Sequence, residues 1–139
     1  MKIIISFESM IATNNIFNIR ATRGGQWKGQ IGTNKGFVEF ETREYAIRAW
    51  LVLMRTYRRK HWCRTIRSIV TRFAPPSENN TEQYIRHCAK YVTKNDYVVL
   101  DSSLDYARLG VAMAKMETDT TLTTQDIFDV MQKSQIHII

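Results

Sequence analysis

Leu104 to Asp119 reads LDYARLGVAMAKMETD, and taking it as a helix decides the fold. Leu104, Ala107, Val111 and Ala114 recur at spacings of three and four, so one stripe is expected to face a core, widened by Met113 and Met116. Glu117 falls in the last turn, at the edge of that stripe. There the negative end of the helix dipole and the neighbouring apolar groups both disfavour ionisation, so its carboxyl is expected to hold its proton to higher pH than usual. A carboxyl protonated near neutral pH is a general acid. The plainer alternative is a solvated glutamate at a frayed helix end.

Outward from this helix, the chain predicts four more. Thr42 caps Arg43 to Lys60, whose Ala46, Ala49, Trp50, Leu53, Met54 and Tyr57 form an apolar face. Thr65 opens a helix with Ile66, Ile69, Val70 and Phe73 inward, and Pro75 with Pro76 ends it. Asn80 with Gln83 resembles a capping box for Thr81 to Val92. Asp101 or Ser102 caps the helix ending in Glu117, and Thr123 or Thr124 caps a last one around Ile127, Phe128 and Met131. Upstream, Lys2 to Phe7 reads as a short strand and Phe37 to Glu41 as another or a hairpin arm. Between them lies a segment rich in Asn, Gly and Thr, read as a loop or a set of tight turns. The expectation is a mainly α (α+β) single domain over residues 1–139, with about five helices and a small β element near the N-terminus.

At 139 residues and 44% apolar content the chain can bury a core without metals or disulfides, and disorder is excluded. No apolar run approaches the length needed to span a bilayer. The opening MKIIISF is followed at once by Glu8 and shows no small-residue cleavage site, so no secretory signal is expected. Cys63 and Cys88 are taken as free thiols, and the spacing of His61, Cys63, His87 and Cys88 matches no common zinc site. No metal or cofactor is expected. The formal charge of +7 implies a polyanion partner without choosing among nucleic acid, anionic lipid and the acidic bacterial cell wall. The basic run from Arg55 to Arg67 could meet phosphates with Trp50, Tyr57 or Trp62 nearby for stacking, although such runs are often only a solvated face.

The Asn-rich segment carries the second chemical signal. Asn14, Asn15 and Asn18 can satisfy backbone groups in turns. With Trp27 they are also a sugar-binding composition, since amides bond hydroxyl and acetamido groups while an indole covers a pyranose face.

NNIFNIR at Asn14 to Arg20, Trp27 with Gly29, FVEFETREYAIRAWLVLMRTY at Phe37 to Tyr57, FAPPSENNTEQYI at Phe73 to Ile85 and MAKMETD at Met113 to Asp119 together resemble a family of small bacteriophage virion proteins described as structural or lysozyme-like. The resemblance covers nearly the whole chain. That family usually has Pro-Gly where this chain has Ile16 and Phe17, and Asn-Gly where it has Thr118 and Asp119. Asn14 to Arg20 is also similar, more weakly, to the Asn-Asn-Leu-Phe-Gly-Ile segment of bacterial cell-wall glucosaminidases of the lysozyme superfamily, with Phe73, Ala74 and Tyr84 matching a later Tyr-Ala stretch and tyrosine. In those enzymes the glutamate-bearing helix precedes the Asn-Asn motif. Here it comes last, so the match implies a circularly permuted lysozyme-like domain.

The resemblance implies an enzyme of the phage particle that cleaves β-1,4 bonds of peptidoglycan glycan strands, made in the host cytoplasm, with other virion proteins as further partners. Glu117 is the expected acid. Glu8 is the alternative, since it stands six residues before Asn14, but it closes a strand-like run rather than a helix. Asn14, Asn15, Asn18, Trp27 and Tyr84 are the expected substrate-binding residues. A second carboxylate could come from Glu8, Glu41, Glu44 or Asp119, and without one a single-acid lytic transglycosylase route remains. The competing expectations are a non-catalytic capsid or vertex component and, third, a basic nucleic-acid binder.

Overall fold

The computed structural model describes residues 12–139. The expected strand Lys2 to Phe7 and the alternative acid Glu8 lie outside the described residues. In chain order the elements are β1 (Gln30–Asn34), β2 (Phe37–Phe40), α1 (Arg43–Lys60), α2 (Ile66–Phe73), α3 (Thr81–Val92), α4 (Ser103–Thr118) and α5 (Thr124–Ser134). The class is mainly helical α+β.

The helix starts follow from local capping chemistry. The Thr42, Thr65, Ser102 and Thr123 hydroxyls each accept from the backbone N–H three residues on, satisfying a donor that the first turn leaves open. Thr65 with Ser68 and Thr123 with Asp126 close full capping boxes. Asn80 accepts from the Gln83 N–H in the same way.

β1 stands within the stretch expected as a loop or a set of tight turns, and it supplies the partner of the expected hairpin arm. Asn34 pairs with Phe37, so only Lys35 and Gly36 turn the chain, at φ of 52° and 86°. Two successive left-handed residues make the tight turn whose twist suits a hairpin, and Gly36 adopts it without strain. The segment before β1 joins the sheet side: the Val38 N–H donates to Ile19 O and the Ala21 N–H to Gly36 O. This fixes the stretch from Asn14 to Ala21 against β2.

α4 is the central helix, packed on α3 and α5. The single stripe predicted for it is corrected. Leu104 is 40% exposed and Val111 and Met116 are only half-buried, whereas Tyr106, Leu109, Gly110 and Ala112 are buried along with Ala107, Met113 and Ala114. Neighbours on more than one side widen the buried arc beyond what one amphipathic face provides. The small residues allow this close approach; a methyl group on Gly110 would collide with Ile127 and crowd Trp50. Trp50 itself is wholly buried in α1 and stacks on Phe17, with centroids 5.2 Å apart and planes 12° apart. Phe17, standing where the resembled family has glycine, therefore joins the core and anchors the loop that carries Asn18.

Candidate active site around Glu117

Glu117 lies four residues after Met113 and seven after Gly110, so helical geometry puts it on the face that α4 buries most deeply. Its exposure is 0%. The expected placement at the edge of the stripe is thus replaced by complete burial. A charged carboxyl removed from water is costly unless hydrogen bonds replace its solvation. The Tyr84 hydroxyl, from the first turn of α3, donates to Oε2 at 2.9 Å. Asn18 Nδ2 donates to Oε1 at 3.3 Å and to the Glu117 carbonyl oxygen at 3.1 Å. The second of these bonds also satisfies a helix-end carbonyl that has no partner within the helix.

The three asparagines divide their work. Asn14 Nδ2 donates to Phe40 O at 3.0 Å and Glu41 O at 3.1 Å, tying the loop to the end of β2. Asn15 clamps Ile19 from both sides, accepting from its N–H and donating to its carbonyl oxygen, each at 2.9 Å, and donates to Val38 O at 2.7 Å. Those side chains build the loop. Asn18, held at φ 51° in a left-handed conformation that asparagine tolerates, points its amide at Glu117. Its Oδ1 is buried with no hydrogen-bond donor in reach among the described residues.

The structure thus gathers Glu117, Asn18 and Tyr84, and leaves Asn14, Asn15 and Trp27 outside that cluster. Trp27 is half-buried against the core, its backbone N–H held by Gln30 Oε1 at 2.9 Å. Among the described residues no hydrogen bond or ring contact links it to Glu117. Asp119 caps α4 in a left-handed conformation and turns its carboxylate to Lys115 Nζ at 2.8 Å, while the exposed Glu44 lies 3.9 Å from Arg43. Among the described residues no other carboxylate is hydrogen-bonded into the Glu117 cluster.

Two participants escaped the sequence reading. Thr118 Oγ1 donates to Ile16 O at 2.8 Å, a second tie between the end of α4 and the Asn-rich loop. The signal available was its position, where the resembled family carries asparagine. Cys88, wholly buried in α3, has its thiol pushed up by burial and then by the Glu117 charge. Burial, followed by that same charge, also raises Tyr84 well above the ordinary tyrosine value. Tyr84 and Cys88 therefore remain protonated through the neutral range, and Tyr84 is a fixed donor to the carboxyl.

No protein-family model matches the chain. It is 37% identical over 83 residues to Protein P5 of Pseudoalteromonas phage PM2, a match covering 57% of this chain and 52% of that protein. The chain spans about half the length of the curated relative it matches, and in sequence it is similar to a bacteriophage protein.

Proposed function

We propose that this chain is a component of a bacteriophage particle that cleaves β-1,4 glycosidic bonds in peptidoglycan glycan strands, with Glu117 as the proton donor. The observation that carries the reading is the meeting of Glu117 with Asn18 and Tyr84, drawn from the C-terminal, N-terminal and middle parts of the chain. The similarity to a phage protein supports the particle assignment, and the lysozyme-like resemblance supplies the reaction.

Tyr84 holds Oε2 and Asn18 holds Oε1, so the carboxyl that carries the proton is fixed at both oxygens. As that proton moves to the leaving glycosidic oxygen, Asn18 and Tyr84 remain as donors to the new carboxylate, an arrangement that offsets charge developing in the transition state. With a second carboxylate the chemistry is a two-carboxylate hydrolysis, and with Glu117 as a single acid it is the lytic transglycosylase route, in which a substrate group completes the displacement.

Complete burial of the Glu117 carboxyl favours a second reading, a phage structural component in which the same cluster locks the end of α4 to the loop. Zymography and muropeptide release with the wild-type protein and Glu117→Gln separate the two. Clearing by the wild type with at least a hundredfold loss in Glu117→Gln is the catalytic outcome, in line with the roughly 10²- to 10⁴-fold contribution of general acids. Equal clearing by both proteins removes Glu117 as the acid, and clearing by neither leaves the structural reading.

A further inference from the structure

Between Arg55 and Arg72 the chain carries six arginines and Lys60, and no aspartate or glutamate. The fold uses some of these cations internally. Arg58 donates to Leu100 O and to the Tyr106 hydroxyl, Arg59 to His137 O, and Arg67 is held between Glu82 and Asp96. Arg55, Lys60, Arg64 and Arg72 form no ion pair among the described residues.

Aromatic rings are interleaved with these cations. Arg64 lies 4.4 Å from the Trp62 ring centroid, Arg67 5.0 Å from that of Tyr97 and Arg72 5.5 Å from that of Tyr57. Trp62 and Tyr97 are 71% and 70% exposed, unlike Trp50, which is core and unable to stack on a ligand. Trp62 also sits at φ 56°, a backbone conformation that a bulky L residue adopts only under strain. Exposure and strain both weigh against Trp62 as a folding residue. An open groove of about 640 Å³ runs along α2, lined by Thr65, Arg67, Ser68, Thr71, Arg72 and Tyr97. The Thr65 to Val99 bridge ties the start of α2 to the segment that carries Tyr97.

We propose that this arginine-lined groove, with the segment from Trp62 to Arg64 leading into it, binds single-stranded nucleic acid. Arg72 in the groove and Arg64 beside it, neither of them ion-paired among the described residues, meet phosphates, while the exposed rings of Trp62 and Tyr97 offer platforms on which successive bases stack. A duplex would use the charge but leave the rings unstacked. This site is separate from the Glu117 cluster and does not depend on its chemistry.

The experiment is fluorescence anisotropy of a labelled oligothymidylate of roughly 20 nucleotides, longer than one binding platform requires, titrated with the full chain. A duplex of the same length and vesicles of mixed zwitterionic and anionic lipid serve as competitors. Binding to the single strand is expected to weaken by at least tenfold between about 50 and 200 mM salt. Trp62→Ala and Tyr97→Ala are each expected to weaken it by roughly five- to a hundredfold, the range of one lost base stack. Arg64→Gln and Arg72→Gln should each lower the salt slope by about 0.7. Glu117→Gln should bind as the wild type does. Both aromatic positions are exposed, so their variants fold, and circular dichroism checks this. The proposal is overturned by absence of binding at low salt, by aromatic variants that bind like the wild type, or by a duplex or vesicles competing better than unlabelled single strand.

Discussion

Asn18 reaches Glu117 across 99 residues of chain, its Nδ2 donating to the carboxyl Oε1 at 3.3 Å and to the same residue's carbonyl oxygen at 3.1 Å. One amide thereby closes the end of α4 and orients the side chain that the candidate chemistry depends on. Tyr84, 33 residues away from Glu117, holds the other carboxyl oxygen. A buried cluster assembled from three distant parts of the chain is sensitive to single changes in stated ways.

Replacing Glu117 by leucine leaves the Tyr84 hydroxyl buried without its acceptor, while the Asn18 amide keeps the backbone carbonyl oxygen of residue 117. The expected cost is about 1 to 3 kcal/mol, the range for one orphaned buried donor. Glu117→Gln keeps an acceptor oxygen and should stay within about 1 kcal/mol of the wild type. Urea denaturation of the two variants checks the difference, and equal stabilities would show that the cluster contributes nothing to folding.

Phe17→Ala should cost about 3 to 5 kcal/mol, the usual range for a buried aromatic truncated to a methyl. Phe17 is completely buried and stacked on Trp50. Because Asn18 follows it directly, the loss should also loosen the Asn18 contact with Glu117. Thermal unfolding measures the first effect; faster hydrogen exchange in residues 14–20 than in α1 measures the second.

Gly29→Ala tests the turn before the hairpin. Gly29 has φ 80°, and a methyl group there would run into the Tyr45 ring on α1. A left-handed alanine and a displaced ring together should destabilise by about 1 to 3 kcal/mol. Gly24→Ala, at φ 73° but in open space, carries only the backbone part and should lose less.

Stability should fall on the alkaline side. Burial is the leading cause that pushes Tyr57 up to about 12, with Arg72 opposing it, and burial also raises Tyr84 and Cys88 above their ordinary values. In the unfolded chain the thiol loses its proton near pH 9 and the phenols near pH 10, while the folded protein keeps them. The unfolded state then binds fewer protons, so the stability is complete below about pH 9 and is lost as pH rises toward the folded values. Tyr57→Phe should flatten the decline between about pH 10 and 12 by up to about 1.4 kcal/mol per pH unit. Denaturation midpoints at pH 7, 9 and 11, compared as slopes, provide the check, and an unchanged slope in Tyr57→Phe would remove that group from the explanation.

The helices were legible because their signals are local. Thr42, Thr65 and Asn80 each sit immediately before a periodic apolar run, and a cap needs only the N–H groups of the turn that follows it. β1 was less legible, since Gln30 to Asn34 contains a glycine and a strongly exposed Ile31 and is held in place by its partner β2. The face of α4 was read too narrowly for a related reason. Periodicity reports one amphipathic side, while the number of neighbours that close around a helix is a property of the whole packing.

By itself the sequence determined the helical order, the capping residues and the presence of a carboxyl at the end of α4, all of which depend on residues a few positions apart. Only the tertiary structure decided that Asn18, rather than Asn14 or Asn15, faces that carboxyl, that Tyr84 shares it, and that Glu117 is sealed from water. Identical amides in one loop are separated by the direction in which each backbone position points. That direction is set by the Asn15 clamp on Ile19 and by the stacking of Phe17 on Trp50, contacts that exist once distant segments have packed.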